Sequence, residues 1–155
     1  MADSIKISLA SKEDSSKIYS LQLLSFQKEA ADFQDYRMPA LKDSSEKFAK
    51  SFDRFTYLKA EAGGEIIGTI RAEVTKKICK IGRFAIHPDY QNQGIGTRLI
   101  SVLEKHFNLV EKYELFTGIL SRRNMHFYKK LGYIISHEEE IAQRKVLFLI
   151  KNNKN

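Results

Sequence analysis

The sequence predicts an α/β protein, equally describable as α+β, built on a mixed β-sheet with helices on both faces. Three observations carry that expectation. Runs that alternate apolar and polar residues are interspersed along 155 residues with runs of helical period. The pair Gly63-Gly64 separates two strand-like runs, which is the signal of a tight hairpin. A strand-like run at 78–86 leads through a turn-rich loop into an amphipathic helix, as in sheets covered by helices.

Each element follows from its local pattern. Ile5, Ile7 and Leu9 alternate with polar residues and read as a strand. Ser11 or Ser15 is placed to cap the next helix, whose apolar face is Ile18, Leu21, Leu24 and Phe26. Residues 28–40 lack clear periodicity and contain Met38-Pro39, so they read as a loop or a broken helix. Residues 41–52 read as a short second helix. Residues 55–60 and 65–75 form the strand pair across Gly63-Gly64, and 78–86 is the next strand. Residues 87–93 are a connection. Ile95, Leu99, Val102, Leu103 and Phe107 recur at helical spacing, which predicts a helix over 94–107. Residues 113–119 are a strand. Residues 121–131 are a helix capped by Ser121 and closed by Gly132. Residues 133–137 and 145–150 are the last strands, read as an antiparallel pair. The order is β-α-α-β-β-β-α-β-α-β-β, with residues 1–155 expected to form one domain.

Composition narrows the class. Hydrophobic residues make up 43% and charged residues 29%, as in a globular chain rather than a disordered one. No apolar run approaches the roughly 20 residues of a membrane helix. The start, MADSIKISLA, lacks the charged and apolar regions of a secretory signal. Cys79 is the only cysteine, so neither a disulfide framework nor a zinc cluster is expected, and His87, His106 and His126 have no ligand spacing. No metal is expected, and a reducing, cytoplasmic location is. Residues 1–75 hold 11 Lys and Arg against 12 Asp and Glu, and residues 76–155 hold 15 against 7. The basic half suits an anionic partner, either nucleic acid, a phosphate-bearing cofactor or an acidic membrane surface; solvated lysine faces are the plainer alternative.

The informative segment is ICKIGRFAIHPDYQNQGIG, residues 78–96. Its loop ends Gln91-Asn92-Gln93-Gly94-Ile95-Gly96, directly before the long amphipathic helix. Glycines at 94 and 96 allow close backbone approach and positive φ. The first amides of a helix have no intrahelical partners and, with the helix dipole, form an anion site. A tight turn is the plainer reading of Gly-x-Gly alone. The dinucleotide fingerprint fails because position 99 is Leu, and the P-loop fails because Gly96-Thr97-Arg98 lacks the lysine. Along the strand, Cys79 and Ile81 share one face while Phe84 and Ile86 share the other, so the apolar phase slips near Gly82-Arg83. A fully buried central strand and a β-bulge both account for that slip.

On these residues the sequence resembles the GNAT superfamily of N-acetyltransferases. RFAIHPDYQNQGIGTRLI is similar to its acyl-CoA signature, Arg/Gln-x-x-Gly-x-Gly/Ala, at Gln91, Gly94 and Gly96. NMHFYKKLGY is similar to the family's next motif at Asn124, Phe127, Tyr128, Lys130, Leu131 and Gly132, with one residue fewer between Asn and Tyr. The resemblance covers about residues 78–133, and the first 75 residues share only the element order. It implies a GNAT-like fold and an acetyl-CoA-dependent N-acetyltransferase that passes acetyl to a primary amine by direct attack in a ternary complex. It further implies that the amides of Gln91, Asn92, Gln93, Gly94, Ile95, Gly96 and Thr97 bind the coenzyme A pyrophosphate. Phe84, Ala85 and Ile86 would run beside the pantetheine arm, with an amide near Ala85 facing the oxyanion. Asn124 would bond the arm or adjacent backbone, and Lys130 would lie near the phosphates, with Arg98 and Lys129 as further candidates.

Tyr128 is the implied general acid, since a phenol can protonate or hydrogen-bond the leaving thiolate. Many relatives carry a glutamate on the strand matching 78–86, but this strand holds Lys80, Gly82 and Arg83 instead. Glu73, on the preceding strand, is the candidate base, with bulk water as the alternative. Residues 26–40 and the last strand pair are expected to form the acceptor pocket, where Glu29, Asp32, Asp35 and Tyr36 could recognise a cationic amine. A small-molecule or peptide amine is thus the expected partner, with no nucleic acid and no membrane. An edge strand near the C-terminus could pair with a second copy. Two other readings compete. A basic nucleic-acid-binding module lacks interleaved aromatics and any recognised motif. A non-catalytic acyl-CoA sensor is kept open by the missing strand acid.

Overall fold

The computed structural model describes residues 4–154; residues 1–3 and 155, the ends of the expected 1–155 domain, lie outside them. The strands are β1 (Lys6–Leu9), β2 (Thr56–Ala62), β3 (Glu65–Thr75), β4 (Ile78–Ile86), β5 (Lys112–Gly118), β6 (Ile134–Ile141) and β7 (Arg144–Asn152). The helices are α1 (Ser15–Phe33), α2 (Ser45–Lys50), α3 (Ile95–His106) and α4 (Arg122–Lys130). The strands form one mixed sheet in the order β1-β2-β3-β4-β5-β7-β6, and the element order is the one expected.

Alternation along the strands gives the sheet two apolar faces, and each is covered. On one face Leu99 and Leu103 of α3 and Tyr128 of α4 join Leu58, Ile70, Ala72 and Ile81 in the main core. On the other, Ile18 of α1 and Phe48 of α2 close over Tyr57. Fully burying an Ile, Leu or Phe side chain stabilises by about 1.5–3 kcal/mol, so these layers hold the helices on the sheet.

Three stretches differ from the sequence reading. α1 continues through residues 28–33, where only Ala30 is buried, so the helix there has no periodic apolar signature. It stops at Gln34, whose left-handed conformation (φ 52°) lets its amide return to Ala30 and Ala31. The second helix is divided: 3-10 turns at Pro39–Lys42 and Ser51–Asp53 flank α2, and the Ser44 hydroxyl caps α2 by accepting the Lys47 amide at 3.1 Å. β6 extends to Ile141 although nearly every residue is exposed, because its ladder with β7 defines it. The tight turns at Lys76-Lys77 and Ala142-Gln143 use positive φ without glycine, which sequence signals do not reveal.

Two irregularities in β4 position the site. Its parallel ladder with β5 joins only Ile78, Cys79 and Lys80 to Lys112, Tyr113 and Glu114. Beyond that point β4 and β5 separate, and β5 pairs along its whole length with β7. On its other edge, Thr69 faces Ala85 and Arg71 faces Gly82, so an extra residue sits opposite Ile70. The phase slip is therefore a bulge, with Arg83 at φ 47°.

Gln22 of α1 is fully buried, and neither atom of its side-chain amide has a partner. An amide buried this way costs about 1–3 kcal/mol. Gln22→Met keeps the volume and removes that cost, so calorimetry should find Tm raised by roughly 2–4 °C. An unchanged or lower Tm would mean that the amide is satisfied in solution.

Candidate active site

The opening between β4 and β5 is the mouth of a cavity of about 910 Å³. Its walls come from β3, β4 and β5, the start of α3, α4, the C-terminal half of α1 and the loop after it. From residue 81 onward β4 has no β5 partner, so one edge of its backbone faces this space.

At one end lies the loop that enters α3. Asn92 (φ 63°) and Gly94 (φ 79°) adopt left-handed conformations, and no side chain caps the helix. Among the described residues, none of the main-chain amides from Asn92 to Thr97 has a hydrogen-bond partner. Six consecutive open donors at a helix start form an anion cradle. Gly96 is needed for a different reason than Gly94. A Cβ there would lie 2.8 Å from the Phe84 ring and 3.2 Å from the Phe127 ring. Those rings stack at 5.9 Å and 9°, and they lock β4, α3 and α4 together at the cradle. Gly96→Ala should cost about 1–3 kcal/mol by overpacking. The outcome to measure is a lower urea midpoint at unchanged m-value; a wild-type midpoint would mean the rings yield freely.

Across the loop stands Arg123, which sequence reasoning did not single out. Its guanidinium donates to Gln91 Oε1 at 3.1 Å and to Asn92 Oδ1 at 3.4 Å, adding positive charge beside the open amides. It lies in the first turn of α4 with no periodic or motif signal, so only the packing of α4 reveals it. Lys130 also lines the cavity and is exposed. Arg98 turns away, donating to the Ile5 carbonyl at 3.0 Å, and Lys129 does not line the cavity.

Phe84, Ile86, Gln91, Asn92, Gly94, Ile95, Gly96, Thr97, Asn124, Tyr128 and Lys130 all line the cavity, as do Glu29 and Glu73. Gln93 and Ala85 do not; Ala85 is buried in the core, so only its backbone is in question. Tyr36 also lies outside the lining and is 62% exposed. Its neighbours turn it out: Asp35 binds Arg37 Nε at 2.9 Å and Arg144 Nε at 3.4 Å, and Arg37 donates to the Gln143 carbonyl. Those bonds fasten the loop after α1 to the β6–β7 turn. The Arg37 guanidinium beside Asp35 holds its carboxyl below the usual carboxylate range.

Tyr128 of α4 is buried among Phe84, Phe127 and Tyr133. Its hydroxyl has no hydrogen-bond partner among the described residues. Burial, then the nearby Glu29 charge, raise its proton affinity, so the phenol stays protonated. Glu29 reaches the same space from α1. Burial raises its proton affinity and Asp32 adds to this, while the Asn124 amide and Arg144 oppose it. Asn124 also donates to Thr117 Oγ1 at 3.3 Å, and its own amide is held by the Ser121 cap at 3.4 Å. Glu73 differs, because Arg54 grips both its oxygens at 3.2 and 2.7 Å. Cys79 is buried, and burial pushes its thiol up to about 12, so it is no nucleophile. Among the described residues no group of three or more His, Cys, Asp or Glu could hold a metal ion.

A run of open amides at one end of a cavity and a protonated phenol near a partly buried carboxylate further along it are the parts of an acyl-group transferase. The comparisons with known proteins carry this further. Residues 16–133 match the Acetyltransferase (GNAT) family, and the chain belongs to that family. Its fold superposes on the PaiA N-acetyltransferase of Thermoplasma acidophilum, solved in complex with coenzyme A, with TM-score 0.81, 20% identity and 96% and 99% of the two chains covered. It also superposes on the ribosomal-protein-S18-alanine N-acetyltransferase of Escherichia coli, with TM-score 0.79, 17% identity and 97% and 95% coverage. An amino-acid acetyltransferase of Pasteurella multocida is 20% identical over 105 residues, which is 68% of this chain but only 23% of that relative.

Glu29 links the site to stability. Its proton affinity is raised on folding, so the folded chain binds more protons between its ordinary value near 4.5 and the raised one. Stability therefore falls as pH rises through that window, and above it the full cost of the buried charge remains. Glu29→Gln removes that cost and should raise Tm by roughly 1–3 °C at pH 8 while giving no gain at pH 4. An equal shift at both pH values would show that Glu29 is not the charge responsible.

Proposed function

We propose that the protein transfers an acetyl group from acetyl-CoA to a primary amine by direct attack in a ternary complex. The run of open amides from Asn92 to Thr97 carries this reading, because it is contiguous with the free edge of β4 and with Tyr128. A pyrophosphate distributes charge over several oxygens and suits several amides at once. Arg123 and Lys130 supply the remaining positive charge. The free edge of β4 from Ile81 to Ile86 offers main-chain groups to the amides of the pantetheine arm, and Asn124 faces it from α4. The bulge leaves an amide near Ala85 able to meet charge developing on the acetyl oxygen.

Acetyl-CoA supplies an acetyl group already activated as a thioester. Tyr128 acts on the sulfur end. Its raised proton affinity makes complete transfer to a thiolate, whose ordinary pKa is about 8.5, uphill. The phenol therefore stabilises the leaving sulfur chiefly as a hydrogen-bond donor. Of the carboxylates that line the cavity, we assign the amine's proton to Glu29 rather than to Glu73. Glu73 has both oxygens engaged by Arg54, whereas burial makes Glu29 a better proton acceptor. Glu29 also attracts the ammonium form of the acceptor. No helix among the described residues is long and apolar enough to cross a membrane. A single buried thiol suits a reducing compartment, and we place the enzyme in the cytoplasm.

The test is calorimetric titration with acetyl-CoA, followed by release of free coenzyme A thiol across a panel of amines. Saturable binding and amine-dependent thiol release are expected. Tyr128→Phe should lower kcat roughly 10²-fold and leave acetyl-CoA affinity within about twofold. Unchanged turnover would remove Tyr128 from the chemistry, and absent cofactor binding would overturn the whole reading.

A further inference from the structure

The cavity end formed by β3 and the β4 bulge holds cationic side chains that cofactor binding does not use. Arg83 projects from the bulge, where its positive φ (47°) aims it away from the regular strand faces. Its side chain is only 17% exposed, its nearest carboxylate is Asp43 at 3.4 Å, and its buried Nε has no partner. Arg71 stands beside it, since Arg71 pairs with Gly82 across the ladder. The Arg71 guanidinium lies 3.7 Å over the Phe55 ring and donates to the Tyr57 hydroxyl at 3.0 Å. Among the described residues, no carboxylate lies within 4.0 Å of Arg71. The other acid on this wall, Glu73, is already matched by Arg54 at 2.7 Å.

Two partly buried guanidiniums thus stand at the wall of a solvent-connected cavity with one carboxylate, Asp43, paired to Arg83 alone. Like charges in such a place repel: burial first, and then the Arg71 charge, disfavour the charged form of Arg83. Arg71 is held by the Phe55 ring and the Tyr57 hydroxyl and Arg83 by Asp43, but one carboxylate leaves the pair with an excess positive charge that an anion would compensate. Guanidinium forks match the flat, two-oxygen geometry of a carboxylate. Glu29 lies elsewhere in the same cavity, where it can attract an ammonium group.

We propose that the acceptor is an amine that also carries a carboxylate, with Arg71 and Arg83 holding the carboxylate while the amino group lies toward Glu29 and Tyr128. The acceptor class is then amino acids or peptides with a nearby acidic group, rather than polyamines. This rests on the acetyl-transfer reading above and adds the charge pattern of its second substrate. Arg71 and Arg83 are specificity residues, so they act on KM for the acceptor and leave acetyl-CoA alone. Holding the loop after α1 through Asp43 is the structural role that the test must separate from this one.

The 155-residue chain is assayed by thiol release with matched sets of an α-amino acid or short acidic peptide, its carboxamide, and the amine without the acid. The acid is expected to have a KM roughly 10- to 100-fold below that of its carboxamide, the range for a charged hydrogen-bond partner. Arg71→Gln and Arg83→Gln should each erase that difference, leaving the carboxamide's KM within about twofold and acetyl-CoA affinity unchanged. Arg71→Lys should restore part of the preference. If Arg83→Gln does not fold, Arg71→Gln carries the test alone. Equal KM for acid and carboxamide in the wild type overturns the proposal, as does a variant that weakens both acceptors alike. Turnover of simple amines but of no acid overturns it and spares the acetyltransferase reading. If no acceptor is turned over, the same acids are titrated into protein saturated with coenzyme A. Failure of saturable binding that depends on Arg71 then overturns the proposal, whereas failure to bind acetyl-CoA at all overturns the reading beneath it.

Discussion

β4 and β5 run parallel but hydrogen-bond only through Ile78, Cys79 and Lys80 on one side and Lys112, Tyr113 and Glu114 on the other, and the rest of the site depends on that early separation. A sheet normally has no interior space, because each buried strand uses both edges for ladder bonds. Here, beyond Lys80 and Glu114, β4 keeps only its β3 partner and β5 only its β7 partner, on the far edge of each. The cavity occupies the gap, and the unpaired edge of β4 becomes a row of donors and acceptors for a ligand.

Separation alone would leave a flexible cleft, so the surrounding elements brace it. Phe84 and Phe127 stack across the entrance to α3 and press against Gly96. Asp35, Arg37 and Arg144 tie the loop after α1 to the β6–β7 turn, and Arg83 ties to Asp43. The bracing has costs. Arg83 takes a conformation that a non-glycine residue adopts at roughly 1–3 kcal/mol, and Glu29 holds a carboxylate out of water. Strained backbone and buried charge concentrated in one cavity are what a preorganised polar environment requires.

Charge is unevenly distributed along this cavity. The α3 end offers open amides with Arg123 and Lys130, which suits phosphate oxygens. The middle offers a protonated phenol and a partly buried carboxylate, which suits a proton transfer. The bulge end offers Arg71 and Arg83. The excess of Lys and Arg in the second half of the chain thus includes residues with distinct placements, since Arg83, Arg123 and Lys130 all line one space.

Element order, β3 and β4 to the residue, and the two-glycine loop were legible in the sequence, although the Gln91 amide counted with that loop bonds the Pro88 carbonyl and the open run starts at Asn92. These are local properties: ladder-facing alternation, helical period and glycine φ act over a few residues. The sequence also located the anomaly at Gly82-Arg83, but two causes fit, and only the register against β3 decided for a bulge. Tertiary structure alone decided the rest. Arg123 reaches Gln91 because α4 packs beside α3, Glu29 meets Asn124 because α1 crosses the sheet, and Tyr36 is turned outward by bonds to a hairpin more than a hundred residues away. Those pairings join groups distant in the chain, and no periodicity in one segment encodes which side chain of another will stand opposite it.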